Sequence, residues 1–340
     1  MILFFSSDGN ALFQKNVLSS LSLPSGYCIH VRYWEEIVSQ SVLDKFHRLR
    51  NLEGVHIYVK GNDPSIQKED RQVEYFSVRK VQIVDYRKDP QTGLIHFYLE
   101  LGDFINPVIK YPSQGSLPPY KFVTEGEISL LNPVQWYEKI ERLVAFDESF
   151  KDSLFYNFNL KKYIGRWPDS VECRYDFQEE TSCFRLSEGK SYIIELAILI
   201  SDLRQDQLEN YECLFEYDKN DILITNPSTV IIGTKKDSRR YRLITKSISN
   251  IHSFDYLKLI SRKREGENYS EFYETIIRFD ITKNKRKAIF FVVLFFLNVI
   301  GTAWLAFLLS EKKFNLSNML AALILVVTSA LGQYYYYNKS

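Results

Sequence analysis

The sequence predicts an α+β N-terminal domain over residues 1–150, a mostly-β domain of sandwich or barrel type over 151–282, and a C-terminal two-helix transmembrane hairpin over 288–340. Three observations carry this reading. Apolar residues at helical and at strand spacing alternate through the first part of the chain. Short strand-like runs at regular spacing, bounded by turn residues, fill the second part. The end of the chain holds two runs with no charged residue, 288–310 and 314–338.

Element by element, residues 2–5 read as an apolar strand. A helix follows over 10–21, with Leu12, Phe13, Val17, Leu18 and Leu21 on one face and Ser7 or Asp8 as its cap. After the Pro24-Ser25-Gly26 turn come a strand over 27–33, a helix from about 34 to 49, and a third strand over 54–60. Residues 77–86 and 94–101 form an antiparallel hairpin across 89–93. A proline-rich stretch and a helix over 133–144 complete the first domain. In the second, the strands fall at 171–177, 181–186, 191–200, 211–217, 221–225, 230–234, 240–246, 253–260 and 271–281. Residues 191–200 also fit a helix, because a short apolar run is ambiguous in period. Residues 218–220 and 235–239 read as hairpin tips.

Composition excludes several classes. The 340 residues carry 43 basic and 42 acidic side chains, which argues against a strongly basic nucleic-acid binder or an acidic tail. At 45% apolar and 15% aromatic the chain has ample material for folded cores. Four cysteines cannot staple a chain this long, so Cys173 and Cys183, ten apart, read as small hydrophobes.

The run 288–310 has 23 uncharged residues, of which fifteen are Phe, Ile, Leu or Val. As a helix it would extend roughly 34 Å, enough for a hydrocarbon core of about 30 Å. Its apolar side chains favour insertion by about 5–9 kcal/mol in sum. The second span, about 315–337, is weaker and ends in four tyrosines suited to the headgroup layer. Five basic residues flank the terminal sides of the pair and two lie in the loop, so both termini are expected in the cytoplasm. The apolar start of the chain is too short for a signal peptide.

Chemistry-bearing motifs are scarce. The glycines take neither the dinucleotide nor the Walker spacing, and His30, His47, His56, His96 and His252 form no metal pattern. His30, His56 and His96 fall in expected strands and read as core or solvent histidines. No cofactor, metal or catalytic residue is expected. Three groups stand above background. The collar Lys283, Lys285, Arg286 and Lys287 suits anionic lipid headgroups and topology. Arg79, Lys80, Tyr86, Arg87 and Lys88, with Arg32 and Tyr33 nearby, form a candidate surface for an anionic ligand or nucleotide on the wet face of a hairpin. Lys235, Lys236, Arg239 and Arg240 read as a solvated turn. In the hairpin, Asn298, Thr302 and Ala306 make a small polar stripe, matched in depth by Thr328 and Ser329, for helix packing or a pore.

In layout alone, a cytosolic body followed by a two-helix hairpin resembles the sensor–effector proteins of bacterial immunity. The expected function is therefore a membrane-anchored cytoplasmic sensor or binding protein whose hairpin self-associates, as an antiviral membrane effector would. The expected partners are the bilayer, further copies and an anionic ligand. The alternative is a nuclease or hydrolase tethered by an inert anchor.

Overall fold

Residues Ile2–Ser7 form β1, buried at every position, in a six-stranded sheet with the order β2-β5-β4-β3-β1-β6. The other strands are β2 (Cys28–Trp34), β3 (Glu53–Lys60), β4 (Glu74–Lys88), β5 (Leu94–Phe104) and β6 (Val123–Glu125). The computed structural model describes residues 1–61, 73–106, 121–127, 132–164, 167–177, 179–201, 208, 210–225, 229–232, 234–248, 250, 252–266, 268–283, 285–310, 318, 320–324, 326–328 and 330.

Helix α1 (Ala11–Ser22) forms where its periodicity places it, but its cap is Asn10, whose side chain accepts from Leu12 N, and not Ser7 or Asp8. The single helix expected over 34–49 is absent. A 3₁₀ turn (Glu35–Ile37), the short α2 (Gln40–Leu43) and a second 3₁₀ turn (Phe46–Arg48) take its place. The reason is tertiary: Ser39 N donates to Val123 O and Phe122 N to Ile37 O, so the middle of the segment is drawn out to pair beside β6. Helix α3 (Trp136–Phe146) lies where expected and buries Trp136, Ile140 and Leu143.

Strands make up 54% of the structure, which places it in the mostly-β class. The second half builds two sheets. One has the order β14-β12-β16-β17-β10-β9, from β9 (Cys173–Asp176), β10 (Thr181–Ser187), β12 (Tyr211–Tyr217), β14 (Thr229–Ile231), β16 (His252–Glu265) and β17 (Asn268–Thr282). The other has the order β13-β15-β11-β7-β8, from β7 (Leu154–Ile164), β8 (Trp167–Ser170), β11 (Ser191–Ile200), β13 (Ile222–Thr225) and β15 (Lys236–Thr245). Their inner faces, including Phe158, Leu196, Leu243, Leu259 and Phe279, close a β-sandwich core. That core runs on without a break into Phe4, Val31 and Phe97 of the first sheet. Residues 191–200 are a strand, and β7 and β8 were not expected. Residues 236–239 are strand, not hairpin tip.

The last described element before the second apolar run is α4 (Lys285–Ser310). Beyond it, residues 320–324 and 326–328 are helical. The longest unbroken stretch of α4 with described side chains is 293–304; among the described residues no helix is long and apolar enough to cross a membrane. Asn298 Nδ2 donates to Val326 O at 3.4 Å, so the two helical segments touch. Leu294, Asn298 and Gly301 form the covered side of α4, with Ala322 and Val326 covered opposite. Thr302 and Ala306 are exposed, so the packing stripe is rotated away from the expected Asn298-Thr302-Ala306 row. Thr302 and Thr328 return their hydroxyls to their own helices, at Asn298 O and Ile324 O. Ser329 lies outside the described residues.

Candidate functional site

Alternation along β2 buries Ile29, Val31 and Tyr33 and turns His30, Arg32 and Trp34 to the opposite face. Strand β5 runs antiparallel beside it, with Arg32 opposite His96 and His30 opposite Tyr98. These residues meet as a stack. The His30 and His96 rings lie 5.0 Å apart and 8° from parallel, and Tyr98 lies 4.8 Å from His30. His30 Nε2 and His96 Nδ1 are 2.9 Å apart and share a hydrogen bond.

The second half of the chain supplies the other wall. Glu180, at φ 51° in the turn between β9 and β10, accepts from Tyr98 OH at 2.6 Å and pairs with Arg87. Tyr27 OH donates to Ser182 O and Cys28 N to Ser182 Oγ, which fixes β10 against β2. A cleft of about 260 Å³ remains between the walls, lined by Lys15, His30, Tyr98, Tyr175, Glu180 and Arg278 among others. Burial first, and then the neighbouring His96 and Arg32, push His30 down to about 4. Burial and Arg87 also lower His96. Both imidazoles are therefore neutral at neutral pH, one donating to the other. The cleft offers an aromatic wall, hydrogen-bonding ring edges and a carboxylate held by a phenol and a guanidinium.

Of the expected ligand surface, only Arg87 joins this cleft. Arg79 is buried at 1% exposure, not on a wet face. It donates to Gly102 O, Ser20 O, Leu23 O and Ser25 Oγ. Lys80 pairs with Glu53 and Lys88 with Glu35, each at 2.6 Å, while Tyr86 packs edge-on against Phe46. The basic group at 235–240 also disperses: Lys236 pairs with Glu141, Arg239 with Asp237 and Arg240 with Glu195. Lys283 precedes α4, and Lys285, Arg286 and Lys287 form its first turn.

His56 is a core histidine, buried between Ser6 and Ser20, whereas His30 is exposed and His96 partly exposed on the outer face of their strands. His30 shares the strand parity of Arg32, a legible sign that it faces outward. Nothing in the sequence signals Glu180, which reaches Tyr98 across 82 positions. Cys173 and Cys183 sit on neighbouring strands, one position out of register, and both are free thiols. Burial pushes the Cys183 thiol up to about 11. Among the described residues no group of three His, Cys, Asp or Glu side chains is placed to hold a metal ion.

A second cleft, of about 410 Å³, lies on the outer face of the sheet at β10, β16 and β17, lined by Cys183, Tyr256, Ile276 and Arg278 among others.

No protein-family model matches the chain, and no curated protein matches it. Among solved structures the chain is similar to the cohesin module of a Clostridium perfringens family 33 glycoside hydrolase. The identity is 16% over 33% of this chain and 95% of that module, with a TM-score of 0.21, a likeness too slight to carry an argument.

Proposed function

We propose that this chain is a membrane-anchored binding protein: α4 and the helical segment after it sit in the bilayer, and the β-rich body recognises a ligand on the cytoplasmic side. The carrying observation is the outward side of α4, where Phe295, Phe296, Ile300 and Phe307 are 52%, 59%, 58% and 56% exposed. Apolar area of this kind is favoured out of water by about 25 cal/mol per Å², and a continuous exposed patch is a binding surface for lipid or protein. The uncharged run 288–310 and the basic collar before it support lipid. The exposed Thr302 and Ala306, on the side of α4 away from Val326, are available to further copies, which supports self-association.

The cleft beside His30 is the proposed recognition site. Its stacked rings suit a planar polar ligand, and Lys15 and Arg278 in its lining suit an anionic group, as a nucleotide carries both. Alkaline carbonate extraction of membranes containing the full chain tests the anchor. Retention in the pellet is expected; release into the supernatant overturns the reading.

A further inference from the structure

We infer that the end of the β-sandwich from which the chain passes into α4 docks in the headgroup layer of an anionic bilayer, with Trp167 as its principal aromatic contact. The inference rests on the membrane-anchor reading above and adds a second contact to it.

Backbone pairing gathers this end. Thr282, the last residue of β17, pairs with Ser187 of β10 and with His252 of β16. Glu188 N donates to Thr282 O, Gly189 N to Thr245 O and Thr245 N to Lys190 O, so the starts and ends of both sheets meet here. Ile193 near the start of β11 pairs with Lys161, so the β7–β8 hairpin overhangs the same end. That overhang carries Tyr163, 46% exposed, and Trp167, 79% exposed. On the other sheet, Phe254 and Tyr256 are 63% and 49% exposed, two and four residues from the His252–Thr282 pair. These aromatic side chains need not face water for any reason within the sandwich, whose core is closed without them.

Proximity selects lipid as the occupant. Only two residues separate Thr282 from Lys285, where α4 begins, a reach of at most about 10 Å over three peptide units. An anchor entering the hydrocarbon there holds this end at headgroup depth, where tryptophan and tyrosine are favoured. Charge agrees. Asp169 is paired with Lys162 and Asp280 with Arg185, Asp221 keeps its charge while accepting from Ser253 Oγ, and Lys190 and Lys246 are exposed at the same end.

Tryptophan fluorescence tests both contacts separately in the full chain reconstituted in phosphatidylcholine–phosphatidylserine vesicles. Subtracting Trp167→Phe from the parent isolates Trp167, and subtracting Trp304→Phe isolates a residue of α4. Brominated phosphatidylcholine should quench both, and Trp167 should be shielded from aqueous acrylamide relative to the detergent-solubilised protein. Lipid quenching of Trp304 with Trp167 as open to acrylamide as in detergent overturns the docking while leaving the anchor intact. Shielding of Trp167 from acrylamide without lipid quenching indicates cover by another copy, and overturns it too. Absence of lipid quenching at Trp304 overturns the anchor and the docking together.

Discussion

The Arg79 guanidinium lies 4.2 Å from the centre of the Phe104 ring, inside the protein, with carbonyls and one hydroxyl as its hydrogen-bond partners. Two of the carbonyls, Ser20 O and Leu23 O, close the C-terminus of α1, where the helix carries partial negative charge. Burial pulls Arg79 down to about 9, so it remains charged at neutral pH. Arg79→Met strips several buried acceptors of their donor at once. It should cost about 3 kcal/mol, at about 1–3 kcal/mol for each buried group left unpaired. Urea denaturation measures it; a loss below about 1 kcal/mol would show that the acceptors find other partners.

His56 is fully buried and bonded through Nδ1 to Ser20 Oγ at 2.7 Å and through Nε2 to Ser6 Oγ at 2.8 Å. Burial pushes it down to about 3, from an unfolded value of about 6.5. The folded state therefore resists a proton that the unfolded state takes up. Its contribution is complete above pH 6.5 and is lost as the pH falls towards 3, amounting to about 2 kcal/mol by pH 5. His30, lowered to about 4, acts in the same direction. His56→Gln should flatten the stability profile between pH 6.5 and 4; identical profiles for parent and variant would contradict this account.

Lys139 is buried, donates to Ile105 O at 2.7 Å and Asn106 Oδ1 at 3.0 Å, and lies 3.9 Å from the Phe76 ring centre. Burial lowers it to about 7, with Arg142 adding to the effect. Here the unfolded chain holds a proton that the folded one sheds, so this group raises stability as the pH climbs from 7 towards 10.5. The rise between pH 7 and 9 should be about 2 kcal/mol, and Lys139→Met should abolish it. Chemical denaturation at the two pH values reads the difference.

Gly301 is covered on the side of α4 that also carries Asn298, whose amide reaches Val326 O. A small residue there permits close approach of the two helical segments. Gly301→Leu should push them apart, and disulfide cross-linking between Asn298→Cys and Val326→Cys should fall several-fold. Undiminished cross-linking would mean that Gly301 does not set the spacing.

Local pattern determined much of this architecture. A short apolar run is enough to place β1, a run of strand-forming residues to place β3, alternation to place β17, helical spacing to place α1 and α3, and an uncharged run of 23 residues to mark α4. Arg79 shares the parity of Val81 and Ile83, both buried, but its neighbour Val78 is buried as well, so the inward guanidinium is a result of packing and not of the local pattern, which puts it on the wet face. Tertiary structure alone decided the rest. The segment 34–49 has helical spacing, but pairing of Ile37 and Ser39 beside β6 outweighs a propensity worth only tenths of a kcal/mol per residue. Glu180 joins Arg87 and Tyr98 because the β9–β10 turn folds onto the first sheet. Short-range spacing records which face a side chain takes within its own strand or helix. Which surfaces then meet is a property of the packed sheets, so the sequence showed the outward parity of His30 but not the cleft that the β9–β10 turn closes beside it.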